Sequence, residues 1–149
     1  MRIATAANAT VAAWLRQAID RPSGRLWARR RVAVESQRCH PELLDRLRSL
    51  AEQLPGTLLR FVGGIPVLVH PGGVVFAIAA GQNWMVLRLP THVHSAVVRS
   101  EWGNRGLVGD WVDIDRWLTD IPSRYGLSRV GGWALAAYSY AAELEPRSR

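Results

Sequence analysis

The sequence predicts an α+β domain, an antiparallel β-meander of four or five strands packed against flanking α-helices. Three observations predict it. Apolar residues recur at helical spacing before residue 54 and after residue 114. Between them the period shortens to runs rich in branched and aromatic side chains, at 58–62, 65–70, 74–80 and 84–89. Gly63-Gly64, Pro71-Gly72-Gly73 and Gly81-Gln82-Asn83 separate these runs, and loops of two or three turn residues join antiparallel neighbours.

Each element follows from its residues. Val11, Trp14, Leu15, Ala18 and Ile19 make an amphipathic helix over 9–20, with Asn8 as its N-cap, and Pro22-Ser23-Gly24 ends it. Residues 25–39 hold no glycine or proline and read as a second helix, with a strand around Val32-Ala33-Val34 as the alternative. Pro41 suits the first position of a helix whose inner face is Leu43, Leu47, Leu50 and Leu54, and Pro55-Gly56 stops it. The four strand runs follow, with middle strands apolar on both faces, so one face packs on helices and the other is at least partly covered. Thr91 caps a helix to about Glu101, 103–106 is a loop, and 110–114 is a short strand. Ile114, Trp117, Leu118 and Ile121 form a further helical stripe, closed by Pro122. Ser128 caps a last helix, 129–143, apolar on nearly every side and expected to lie buried across the sheet. The domain spans 41–145, with residues 1–40 as a basic, helical extension and 146–149 as a tail. Leu47, Phe76, Leu87, Trp117 and Leu135 are the expected core.

Composition excludes several chemistries. The 149 residues are 48% hydrophobic and 21% charged, which is globular rather than disordered. A chain of this length buries roughly two-thirds of its unfolded surface and needs no staple. One cysteine, Cys39, excludes an intramolecular disulfide, a multi-thiolate zinc site and CxxC redox chemistry, and suits a reducing, cytoplasmic compartment. All 19 basic residues are arginine, so Schiff-base and Walker-lysine chemistry is absent. Arginine usage of this kind follows from codon bias in a GC-rich genome or from selection for guanidinium–phosphate contacts. No run of about 20 apolar residues exists to cross a membrane. Thr5, Asn8 and Thr10 interrupt any signal-peptide core.

The net charge is +7, and it is unevenly placed. Residues 1–60 hold 11 arginines and 5 acids, whereas 61–149 hold 8 and 7. Arg25, Arg29, Arg30, Arg31 and Arg38 form the densest basic stretch and are the candidate nucleic-acid-binding residues. The other reading of this stretch is a solvated helix face. Trp84, Trp102 and Trp111, at strand starts or loop edges, are the candidate ligand or partner surface, whereas Trp14, Trp117 and Trp133 sit on core stripes. Cys39 lies between Arg38 and His40, which would lower its pKa, but no triad surrounds it. His92 and His94 share a face only in a strand and here fall at a helix start, so no metal site is expected. Asp110, Asp113, Asp115 and Asp120 cluster, and Asp113 or Asp115 serves as a helix cap. No catalytic residues and no cofactor are assigned.

Leu54-Pro55-Gly56, Val75-Phe76-Ala77, Leu87-Arg88-Leu89-Pro90, Asp110-Trp111-Val112 and Ala137-Tyr138-Ser139-Tyr140 together resemble the MmcQ/YjbR family over residues 41–145, with Arg88 where that family has lysine. Phe61-Val62-Gly63-Gly64 and Val75-Phe76 are also similar to the related TfoX N-terminal domain. The resemblance implies a CyaY-like or double-wing α+β fold and a DNA-binding role, with no catalytic residues. The turns at 71–73 and 81–83 have no charge, so DNA binding through hairpin wings is disfavoured and binding through the N-terminal region stays open. The expected function is therefore a non-enzymatic binding module. Nucleic acid is one partner class and a protein partner the alternative. The further alternative is a ligand-binding protein or enzyme using the tryptophan- and aspartate-rich region.

Overall fold

A computed structural model describes residues 8, 9, 11–13, 39–80, 84–105, 109–114, 117 and 128–145, with only the backbone described at 84, 104 and 105. Helix α1 (Pro41–Gln53) begins where the sequence places it. Pro41 occupies the first turn, and the His40 ring accepts from the Glu42 N–H at 3.1 Å, so one otherwise orphaned helical donor is satisfied. Leu43, Leu44, Leu47 and Leu50 are its buried face.

The strands follow as β1 (Leu58–Val62), β2 (Ile65–Val69), β3 (Val75–Ala80) and β4 (Trp84–Arg88). Helix α2 (Thr91–Arg99) precedes β5 (Gly103–Arg105) and β6 (Trp111–Ile114), and α3 (Arg129–Leu144) comes last. The six strands among the described residues form one antiparallel sheet in the order β1-β2-β3-β4-β6-β5, so the fold is α+β. Gly63 and Gly64 close the β1–β2 hairpin with φ of 59° and 85°, the doubly positive geometry that matches strand twist and that glycine adopts without strain.

Two apolar layers hold the sheet. On one face, α1, α3 and Val97 of α2 bury Leu68, Phe76, Met85, Leu87 and Val112. On the other, Val11 joins Ile65, Val67, Val69, Ile78, Val86 and Trp111. A register shift between Leu68 and Val69 gives β3 an extra residue there, and Phe76 and Ala77 both join the helix-side layer. This is why β2 and β3 read as unbroken apolar runs: both faces are covered.

Several expectations change. Residues 103–105, read as loop, pair with β6 as its outer neighbour. Pro90, not Thr91, is the cap residue of α2, and it makes no side-chain cap bond. Ser128 does cap α3, accepting from the Gly131 N–H at 2.9 Å. Leu135 is 42% exposed and leaves the expected core, whereas Leu47, Phe76, Leu87 and Trp117 are buried in it. The reason is the alanine row Ala134, Ala137 and Ala141, which lets α3 lie close on the sheet and turns Leu135 outward. Helix α3 is thus an outer-layer helix with one buried face. Apart from Ile114 and Trp117, the stripe ending at Ile121 lies outside the described residues, as do 14–38.

Asn8 and Val11 are both fully buried against the sheet. The Asn8 amide donates to the Gly73 carbonyl at 2.7 Å and accepts from the Val75 N–H at 2.9 Å. The core therefore draws on residues N-terminal to position 41.

Candidate functional site

The candidate arginines Arg25, Arg29, Arg30, Arg31 and Arg38 lie outside the described residues. What surrounds that stretch is described. Asn8 and Val11 anchor the chain before it on one face of the sheet, and Cys39 enters the helix-side core after it. The charge divides at the same place. Residues 1–40 hold eight arginines and two acids, whereas residues 41–145 hold nine arginines and ten acids. The basic excess belongs to the N-terminal stretch and the C-terminal tail, and the sheet domain itself is close to neutral.

Within the domain the best-built polar group joins β4, β6 and α3. The Arg88 Nε donates to Asp110 Oδ2 at 2.9 Å, and Tyr140 donates its hydroxyl to the same oxygen at 2.9 Å. Burial, and then the hydrogen bond to Asp110, raises the Tyr140 pKa. The Arg88 guanidinium also sits 5.8 Å from the Trp111 ring centroid. The strand pairing explains the meeting, since Arg88 of β4 stands opposite Trp111 of β6 and Asp110 immediately precedes it. From the sequence, Trp111 and Asp110 stand among the candidate residues, whereas Arg88 and Tyr140 appear only in the motifs of the family resemblance and in no candidate site. Residues 88, 110 and 140 meet only once the sheet and α3 are assembled. Trp111, taken as surface, is only 1% exposed, and its indole N–H has no hydrogen-bond partner among the described residues.

A second polar group closes the β2–β3 turn. Glu145, at the C-cap of α3, accepts from the Gly72 N–H at 2.8 Å and pairs with the His70 ring. A side chain at Gly72 would displace the Glu145 carboxylate, the far end of a flexible side chain, so glycine there leaves room for this contact. Tyr138 packs against the His70 ring at a tilt of 52° with ring centroids 4.7 Å apart, and donates to the Pro55 carbonyl at 2.6 Å. The tip of this hairpin therefore holds a carboxylate, which repels phosphate.

The remaining candidates separate. Trp102 is half-buried, packed edge-on against Trp133 at 6.0 Å, with the Arg129 guanidinium 5.2 Å from its ring. The backbone of Trp84 opens β4, on the strand that pairs with that of Trp111. Trp84, Trp102 and Trp111 thus fall on β4, the turn before β5, and β6 respectively. Burial pushes the Cys39 thiol up to about 12, opposite to the lowering expected from its charged neighbours, because desolvation penalises the thiolate. His92 is exposed, whereas the His94 ring bonds the Trp111 carbonyl at 3.1 Å. Asp113, one of the two residues read as a helix cap, lies inside β6, and Asp115, the other, lies outside the described residues. Among the described residues no group of three or more His, Cys, Asp or Glu side chains is placed to hold a metal ion. No helix among them is long and apolar enough to cross a membrane.

Searches of protein-family models, of curated proteins and of solved structures each return no match to this chain.

Proposed function

We propose that the chain is a non-enzymatic nucleic-acid-binding module, with residues 1–40 as the contact region and 41–145 as the scaffold that presents it. The observation behind this reading is the division of charge, eight arginines against two acids in residues 1–40 beside a domain of nine against ten. A cationic stretch attracts the phosphate backbone, and a near-neutral scaffold does not dilute it. The anchoring of Asn8 and Val11 supports it, because it ties the start of the stretch to a rigid sheet. The Glu145 carboxylate at the β2–β3 turn argues against contact through that hairpin. The resemblance to the MmcQ/YjbR family points to the same ligand class.

The test is salt-dependent binding to duplex and single-stranded DNA and RNA. For duplex DNA each phosphate contact adds about −0.9 to the log–log salt slope. Replacing Arg25, Arg29, Arg30 and Arg31 with Gln weakens binding to all sequences alike and flattens the slope by roughly two or more. Wild-type protein that shows no salt-sensitive binding at low ionic strength refutes the reading. A protein-adaptor role then leads, and the observation favouring it is Leu135, a large apolar side chain 42% exposed on α3 near the half-buried Trp133.

A further inference from the structure

We infer that the edge of β1, which pairs with no further strand among the described residues, takes up an extended peptide of a partner protein as an added strand, with an acidic residue of that peptide opposite Arg60. The inference is separate from the nucleic-acid reading, since it uses no arginine of residues 1–40.

The strand order leaves β1 at one end of the sheet and the three-residue β5 at the other, so β1 is the longer edge. Its sequence, Leu58-Leu59-Arg60-Phe61-Val62, contains no proline or glycine, and its pairing with β2 is regular. Native edges are commonly blunted by such devices, and here the charge of Arg60 is the one present. Counting outward from the two-residue turn, Val62/Ile65, Arg60/Val67 and Leu58/Val69 exchange hydrogen bonds within the hairpin. Leu59 and Phe61 then direct their N–H and C=O groups away from the sheet. Two facts agree with that count. Phe61 stands opposite Pro66, which has no N–H to give. The Leu59 carbonyl accepts from the exposed Arg60 Nη1 at 3.2 Å, which only an outward-facing oxygen can do.

The edge thus offers four main-chain groups, one of them held by a guanidinium. It also offers Phe61, 40% exposed on the side where Leu59 meets the helix-side core. An added strand would pair the main-chain groups and cover the Phe61 ring.

Charge selects the occupant. A second copy that satisfied all four groups would pair Leu59 with Phe61 of its mate and set Arg60 against Arg60, and like charges directly opposite are destabilising. An acid at that position converts the repulsion into an ion pair and draws the guanidinium off the Leu59 carbonyl.

The probe is the blocked pentapeptide Thr-Val-Glu-Val-Thr, titrated into the full chain and followed by amide chemical shifts. Three controls accompany it: the same peptide with Lys for Glu, the Glu peptide N-methylated at both valines, and light scattering of the protein alone. Saturable shifts centred on 58–62 are expected. The Glu peptide should bind about three- to ten-fold tighter than the Lys peptide. N-methylation should abolish binding. Arg60→Gln should erase the Glu preference, and Leu59→Pro should prevent uptake while sparing the β1–β2 ladder. If Leu59→Pro does not fold, the methylated peptide gives the same answer without altering the protein. Equal binding of the Glu and Lys peptides, or binding that survives methylation, overturns the inference. So does a dimer of the free chain that Leu59→Pro dissociates, which would make a second copy the occupant.

Discussion

Replacing Asn8 with alanine removes both halves of a peptide-like pairing between the N-terminal segment and the β2–β3 turn. The amide donates to Gly73 at 2.7 Å and accepts from Val75 at 2.9 Å, and the residue is fully buried. Alanine leaves a backbone carbonyl and a backbone N–H unpaired where water is excluded. Each orphaned group costs about 1–3 kcal/mol, so the substitution should cost about 2–6 kcal/mol. A water admitted to the vacated space would bring the loss toward the lower end. That is a large share of the roughly 5–15 kcal/mol that holds a typical domain together. Asn8→Asp sharpens the test, because it keeps the shape and the acceptor for Val75. It replaces the donor to Gly73 with a carboxylate oxygen, so carbonyl and carboxylate repel. Only the protonated acid donates, which places its folded pKa above its unfolded value of about 3.9. Its stabilising contribution is therefore present below that value and lost as pH rises. Urea unfolding, followed by tryptophan fluorescence at pH 7 and pH 4, measures both variants. A loss under about 0.5 kcal/mol for Asn8→Ala, with Asn8→Asp matching wild type at both pH values, would refute the anchoring.

Two further expectations follow from burial and from titration. Leu47→Ala, at a fully buried position between α1 and the sheet, should cost on the order of 2–5 kcal/mol in the same assay, whereas Leu135→Ala should cost under about 1 kcal/mol because that side chain is already half in water. Tyr140 has a raised folded pKa, first from burial and then from Asp110, so the neutral phenol is the form the fold favours. The stability this contributes is complete below the unfolded tyrosine pKa of about 10 and is lost as pH rises through the higher folded value. Tyr140→Phe should flatten the alkaline fall in stability, measured by urea unfolding from pH 8 to 11, and an unchanged fall would count against the Arg88–Asp110–Tyr140 group.

Local chemistry along the chain was enough for the α+β class, for α1 with its proline start and leucine face, for the Ser128 cap and for the hairpin turns. Those features depend on residues within a few positions of one another, and helical and strand periods differ enough to be read directly. The arginine imbalance is equally a property of the chain, since counting needs no coordinates. Contacts between distant positions required the tertiary structure. Asn8 looks like a helix cap in its own neighbourhood, yet its amide serves a turn 65 residues away at Gly73. Arg88, Asp110 and Tyr140 meet because β6 pairs beside β4 and α3 packs over β3 and β4, an adjacency no local pattern encodes. Cys39, flanked by charge in sequence, has a raised pKa because burial penalises its thiolate. Leu135 turned outward because a row of alanines, not the largest side chain, set the rotation of α3. Periodicity marks which residues form a helix, but a helix apolar on nearly every side does not say which side it buries. Steric fit against the sheet makes that choice.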